Sequence, residues 1–311
     1  MTRVGTGPAD GPHAGAAPED EAPGTVLAVD VGGTTIDAGV VDRTGALLRR
    51  AAAPTPREPD PEAVFAALTT AVAQVAPEGV LALGVGTAGP VSAGGVTVSP
   101  VNIPGWSGFP LLARLRQEYG LPTVVDGDVK ALAVGEGWRG AGAGVDDFLA
   151  MVVSTGVGGG LVVDGRLLHG AAGNAGHVGH VVVVPEGAPC GCGGRGCLDA
   201  EISGSGIARR LGVPARAAGP EEVERAGRLL GLGVASVVTL LDLSVVLVGG
   251  SVALGYGEPF FAAANAALRG RSWLPYTDGC EIRPAGLAGD GPLVGAGGLA
   301  WRLLGHDVGV R

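Results

Sequence analysis

Three apolar, strand-like runs in this chain each end in a glycine-rich turn, and no other feature narrows the fold as far. The turns are Asp30-Val31-Gly32-Gly33-Thr34, Ser154-Thr155-Gly156-Val157-Gly158-Gly159-Gly160 and Val248-Gly249-Gly250-Ser251. A strand that runs into a turn without Cβ atoms exposes consecutive backbone N–H groups, which is how a neutral backbone holds phosphate oxygens. Thr34 and Thr155 add hydroxyl donors. In a chain with 59 glycines a single turn of this kind is simply a tight turn. Three together, the first with an acid at the strand end, point to a nucleotide. Asp30 would then hold Mg2+ through water, because magnesium keeps several of its waters. No Gly-x4-Gly-Lys-Ser/Thr occurs, so none of the turns is a P-loop.

A second pattern carries different chemistry. Cys190, Cys192 and Cys197 fall within eight residues, and His180 lies ten positions upstream of the first. Thiolate sulfur and imidazole nitrogen are the ligands of a small tetrahedral zinc site. Glycines at 191, 193, 194 and 196 let the backbone turn tightly enough for three sulfurs to converge. Cys280 is distant. The competing interpretation is a disulfide between two of the three, but nothing upstream suggests secretion.

Hydrophobic residues at 46% and charged residues at 16% describe a soluble core, and the net charge of −9 excludes a broad basic surface for nucleic acid. Residues 1–24 are rich in Gly, Ala, Pro and acids and lack an apolar block. They read as a disordered tail rather than a signal peptide, and the protein is expected to be cytoplasmic. Leu229 to Val248 is largely apolar, yet it contains Asp242 and ends in a β-branched run before Gly249. A buried helix entering a buried strand fits it better than a membrane span.

Taken in order, strands are expected at 26–31, 36–41, 46–50, 80–85, 123–126, 148–153, 244–248 and 281–283, with a hairpin over 161–168 turning at Asp164-Gly165. Helices are expected over 60–75 (Asp60 capping, Pro61 first), 107–119, from Asp128, near 204–211, and over 220–241, 258–268 and 291–304. Asp128 follows a strand and starts a helix. A carboxylate there can take the proton of a substrate hydroxyl as its oxygen attacks phosphorus, and it can equally be a plain helix cap.

Taken together these residues resemble the ROK family (repressors, open reading frames and sugar kinases). The matching motifs are Asp30-x-Gly-Gly-Thr, Asn102-x-Pro-Gly-Trp, the Asp128 helix with Gly135-Glu136, Ser154-Thr-Gly-x-Gly-Gly-Gly, Gly176-x-x-Gly-His180, the cysteine segment and Val248-Gly-Gly, over roughly residues 25–305. The resemblance implies an α/β, two-domain actin-like ATPase (ribonuclease H-like) fold with a small zinc-bound loop. The implied divisions are an N-terminal domain over 25–126, a C-terminal domain over 127–290 with the zinc motif at 180–197, and a closing helix and tail over 291–311 returning to the first domain. It also implies ATP- and Mg2+-dependent phosphorylation of a hexose or N-acetylhexosamine, a structural zinc, and a homodimer through the larger domain.

Carried over residue by residue, Asp128 would be the base and Asn102 a sugar contact. Gly156 would sit where the sugar hydroxyl meets the γ-phosphate, and His180 would serve both zinc and sugar. The nucleotide would use Asp30, Gly32, Gly33, Thr34, Thr155, Gly156, Gly158, Gly249 and Gly250. Departures cluster on the sugar side. The family's Asn-Asp-Ala-Asn is Gly127-Asp128-Val129-Lys130, its glutamate before Gly-His is His177, and the glutamate after the third cysteine is Asp199. The span between Gly206 and Glu221 is also shorter. His177 is a candidate sugar contact or a bystander of the zinc loop, Lys130 a solvated or a catalytic lysine, and His169 a loop residue. The alternative is a catalytically silent sugar-binding regulator without a DNA-binding domain; a polyphosphate-using kinase also matches the motifs.

Overall fold

A computed structural model of the protein describes residues 24–271 and 274–311. The tail read over residues 1–24 lies, apart from Gly24, outside them.

The first sheet begins as a meander. β1 (Thr25–Val31), β2 (Thr35–Asp42) and β3 (Leu47–Pro54) pair antiparallel, and β4 (Leu83–Thr87) and β5 (Thr123–Gly127) then add parallel strands on the far side of β1. The order is β3-β2-β1-β4-β5. The second sheet repeats the plan with β6 (Phe148–Val153), β7 (Val157–Val163), β8 (Arg166–Leu167), β9 (Val245–Gly249) and β10 (Glu281–Pro284), in the order β10-β9-β6-β7-β8. Asp164 and Gly165 both take positive φ, as a two-residue turn between right-twisted strands requires.

The helices are α1 (Pro61–Ala73), α2 (Leu111–Tyr119), α3 (Asp128–Arg139), α4 (Leu198–Ile202), α5 (Gly204–Leu211), α6 (Pro220–Leu241), α7 (Ser251–Tyr256), α8 (Glu258–Arg269) and α9 (Gly291–Leu303). Asp60 caps α1 by accepting from the Glu62 N–H at 2.9 Å, and α2 ends at Gly120 in the left-handed conformation. Strand alternation sorts the core. Leu27, Val29 and Val31 face α1 and α2, whereas Val26 and Ala28 face inward with α3 and α9. Leu149, Met151 and Val153 pack with α4–α8, while Phe148 and Ala150 join the inner layer.

Between the sheets α3 and α9 cross in backbone contact. A Cβ on Gly295 would lie 1.6 Å from the Ala131 carbonyl oxygen, and one on Gly135 would lie 2.5 Å from that of Gly291. Glu136, fully buried on α3, accepts N–H groups from Ala141, Gly286 and Leu287, each at 2.9 Å, and so ties the helix to the segment leading into α9.

Several boundaries differ from the sequence reading, each for a local reason. β3 runs on to Pro54 because it pairs with β2 along its length. β4 starts at Leu83, and α2 starts at Leu111, behind Pro110. Gly158, Gly159 and Gly160 belong to β7 rather than to a turn: a Cβ on Gly160 would lie 2.4 Å from the Val129 carbonyl oxygen, so glycine there lets α3 lie on the sheet. The short α4 and α7 carry no clear periodicity in the sequence. Among the described residues no helix is long and apolar enough to cross a membrane.

Candidate active site

A cavity of about 770 Å3 opens between the two sheets, at the carboxyl ends of β1, β4, β5, β6 and β9. That volume holds two small molecules side by side.

From the first sheet, Asp30 ends β1 and the turn 32–34 leads into β2. The turn is braced by the residue after β3: the Thr55 hydroxyl donates to the Gly32 carbonyl at 2.7 Å, and the Thr55 N–H donates to the Thr34 carbonyl at 3.0 Å. Asn102 lies on Gly33, where a Cβ would come within 2.4 Å of its amide nitrogen, so this glycine is needed for the close approach. The loop carrying Asn102 is anchored by Trp106, which is fully buried, stacks on Phe109 at 4.9 Å and donates its indole N–H to the Pro61 carbonyl.

Asp128 is the first residue of α3; the cap position itself belongs to Gly127. One carboxylate oxygen accepts the Val129 N–H at 2.8 Å, which leaves the other for an incoming hydroxyl. Asp30 and Asp128 approach one another over Gly86, where a Cβ would lie 3.6 Å from Asp30 Oδ1 and 3.2 Å from the Asp128 Cα. Burial holds the Asp30 carboxyl well above the usual carboxylate range, and the charges of Asp128 and Asp37 add to the rise while Arg50 opposes it. Burial raises Asp128 as well, against the Val129 N–H and the His177 imidazole, which pull it down. Asp30 Oδ1 is enclosed and has no hydrogen-bond partner. A crowded, unsatisfied carboxylate of this kind suits a hydrated Mg2+.

From the second sheet, Ser154, Thr155 and Gly156 form the turn between β6 and β7. The Ser154 hydroxyl lies 3.0 Å from that of Ser251, at the start of α7, so the second and third glycine-rich turns are joined. Gly250 has φ 96°, and a Cβ there would meet the Val153 carbonyl at 2.4 Å; Gly249 lines the cavity beside it. Gly158 lines the cavity too, but its lack of a side chain also admits Val129, at 2.8 Å from a Cβ. Asp199 accepts the Val157 N–H at 2.7 Å and thereby props the turn from behind.

The third wall is the segment between β8 and α4. His177 and His180 line the cavity with their rings 6.1 Å apart, and His177 Nδ1 lies 2.8 Å from the Asn174 carbonyl. His180, Cys190, Cys192 and Cys197 offer ligand atoms that all lie within 4.8 Å of one another. Cys192 and Cys197 sulfurs are 3.8 Å apart, and Cys190 Sγ is 3.6 Å from His180 Nδ1. Zinc with bonds of about 2.3 Å to sulfur and 2.0 Å to nitrogen has tetrahedral edges of about 3.8 and 3.5 Å, so the donor set fits it. Burial, with the neighbouring thiols, pushes the Cys197 thiol up to about 12, a cost that a bound cation removes. All four cysteines are free, which sets aside the disulfide. Glu201 holds this loop to α6 by accepting the Ala188 N–H and pairing with Arg225.

One expectation needs correction. Lys130 is buried rather than solvated, because its ammonium pairs with Asp126 at 3.0 Å. His169 lies in a loop as expected, with its Nδ1 3.4 Å from Asp126 Oδ2. Sequence reasoning passed over Asn174, whose side-chain amide exchanges hydrogen bonds with both the N–H and the carbonyl of Val91. It is the one long polar side chain in a run of glycine and alanine, and that was its available signal. Asp37 was missed as well, an ordinary surface residue type with no pattern around it.

Two sheets of matched topology, each followed by a helix of a crossing pair, with the cleft at the strand ends, make this the actin-like ATPase fold. The ROK family profile matches residues 26–302, and the chain belongs to the ROK family. It is 31% identical over 315 residues to the glucokinase of Halalkalibacterium halodurans, covering 88% of this chain and 94% of that protein. It is 36% identical over 264 residues to the N-acetylmannosamine kinase of Escherichia fergusonii, covering 78% and 90%. The ROK family glucokinase of Streptomyces griseus, in complex with glucose and AMPPNP, superposes with a TM-score of 0.77 at 32% identity, over 90% of this chain and 100% of that one.

Proposed function

We propose that the protein is a sugar kinase that transfers the γ-phosphoryl group of ATP to a hydroxyl of a hexose or N-acetylhexosamine. The observation that carries this reading is the setting of Asp128: first in its helix, beside the cavity, one oxygen committed to its own backbone, and raised in proton affinity by burial. A carboxylate so placed accepts the hydroxyl proton as the oxygen attacks the γ-phosphorus and the bond to the β-phosphate oxygen breaks. Relatives named glucokinase and N-acetylmannosamine kinase support the substrate class.

The remaining roles follow from position. The turns at 32–34, 154–156 and 249–250 hold the nucleotide phosphates by backbone N–H groups, aided by Thr34 and Thr155. Asn102, His177 and His180 orient the sugar, and Asp199 acts through the turn it supports. Gly156 lies where the two substrates meet. Asp30 would hold Mg2+, which neutralises phosphate charge. Zinc held by His180, Cys190, Cys192 and Cys197 would be structural, because four protein ligands leave no position for substrate. The two sheets are the two domains, and their closure aligns the reactants and excludes water. The homodimer implied by the sequence belongs to this reading too and is checked by light scattering.

The test is an ADP-release assay across hexoses, hexosamines and N-acetylated sugars, repeated with polyphosphate as donor. Turnover on at least one sugar with ATP is expected. Sugar-induced thermal stabilisation without turnover on any of them would show a silent sugar-binding protein instead.

A further inference from the structure

Lys130 is the chain's one lysine, and it sits two residues past Asp128 with 3% of its side chain exposed. An ammonium taken from water has to be paired and hydrogen-bonded, or burial costs more than its packing returns. Here Nζ donates to Asp126 Oδ1 at 3.0 Å and to the Gly173 carbonyl. Asp126, near the end of β5, is used on both oxygens. Oδ1 also accepts the Gly127 N–H at 2.8 Å, and Oδ2 faces His169 Nδ1 at 3.4 Å.

Gly173 lies midway along the loop from His169 to His177. The loop is closed on itself by the Ala175 N–H to the His169 carbonyl at 3.0 Å, and fastened to β7 by the Gly159 N–H to the Gly176 carbonyl at 3.1 Å. Asn174 joins it to Val91, just past β4 of the other sheet, and its carbonyl faces His177 Nδ1. One loop therefore touches both sheets and carries an imidazole into the cavity. Lys130 connects that loop to the helix that begins with Asp128.

We infer that Lys130 is a positioning residue: the Asp126–Lys130 pair latches the 169–177 loop to the start of α3 and so holds His177 opposite Asp128. The inference rests on the sugar-kinase reading for its kinetic consequence, and on the geometry alone for its structural one. A latch of this kind acts on the sugar's binding wall. The turns at 32–34 and 249–250 stand on other elements, so the effect should fall on the sugar far more than on the nucleotide.

Hydrogen–deuterium exchange on the full-length, ligand-free protein tests the structural half. In Lys130→Met, exchange at residues 170–177 should accelerate about ten-fold while the strands of both sheets keep their protection. The sugar KM should rise about ten-fold with the ATP KM within about two-fold, the mark of lost binding on one substrate only. Lys130→Met added to Asp126→Asn should cost less than it does in the wild type, because the two residues act as a unit.

Loop exchange and sugar KM both unchanged within about two-fold would overturn the latch. So would a fall in kcat with sugar KM unchanged, which would make Lys130 a participant in the chemistry. Should Lys130→Met not fold, Asp126→Asn is read in its place: faster exchange confined to the loop supports the latch, and equal acceleration throughout the chain overturns it. Because exchange needs no substrate, a wild type that phosphorylates no sugar would remove the kinase reading and still leave the latch decided.

Discussion

The first sheet and the second follow one strand plan, three antiparallel strands and then two parallel ones, yet they line the cleft with opposite chemistry. Around the first stand carboxylates: Asp30 at the end of β1, Asp37 on β2, and Asp126 and Asp128 at the junction of β5 and α3. The corresponding turn of the second sheet carries Ser154, Thr155 and Gly156, and the turn after β9 carries Gly249, Gly250 and Ser251. The shared topology supplies the positions; on the proposed function, the turn residues decide whether a position would hold a cation or a phosphate. Asp30 and Asp128 are held close at the cost of raised proton affinity in both. The second sheet pays nothing comparable, since backbone N–H groups are already there. On the proposed function, acid–base work falls to the first sheet alone, while the phosphates are held by turns of both sheets.

Four experiments sharpen or break that division. The largest effect belongs to Asp128→Asn: kcat should fall by about 10³-fold, close to 4 kcal/mol, with the ATP KM within a few-fold. Retained turnover would end the assignment of the base. Next is Gly295→Ala, which puts a methyl 1.6 Å from a carbonyl oxygen where the two halves cross; about 3 kcal/mol of stability should be lost in chemical denaturation.

Removing zinc with a chelator, or making Cys197→Ser, should lower Tm and raise the sugar KM about ten-fold, with the ATP KM nearly constant. Equal changes in both KM values would show that the cysteine loop serves the two substrates alike. The smallest effects are in pH. A base with raised proton affinity loses activity as pH falls through a value above the usual carboxylate range, so the acid limb of kcat/KM should lie there. His177→Ala removes a group that lowers the Asp128 pKa and should carry the limb further up. Asp30 contributes the opposite way to stability. Its folded-state affinity is raised, so its favourable contribution is complete below the unfolded pKa and disappears as pH rises through the folded one. Asp30→Asn should therefore raise Tm at neutral pH, while weakening Mg2+-dependent activity.

Much of this was legible because it depends on local rules. Strand ends followed by glycine turns, Asp60 before Pro61, Gly120 after Tyr119 and Asp164-Gly165 each determine structure within a few residues. The cysteine loop was legible for the same reason: four ligands lie within eighteen residues, so their convergence needs no distant partner. Lys130 was not legible. Its burial depends on Asp126, on the preceding strand, and on a carbonyl at position 173, far along the chain. Asn174 escaped for the same reason, since its partner Val91 is 83 residues away. The glycines of β7 looked like a turn because sequence shows a missing side chain without showing what takes its place: the Val129 side chain at Gly158, Leu149 and Val178 at Gly159, and the backbone of α3 at Gly160.

The crossing of α3 and α9 has a mechanical consequence. Helices that meet through interlocked side chains have ridges that must climb past one another before either can turn. Here glycines at 135 and 295 leave backbone against backbone, with no ridge at the centre. Sliding is opposed at that point, because translation drives a carbonyl into the opposing chain, and to either side Leu132 and Val134 of α3 lie against Gly291 and Gly298 of α9. The two sheets are thereby joined at one fixed point of contact, and on the proposed function any closure of the cleft would have to turn about it.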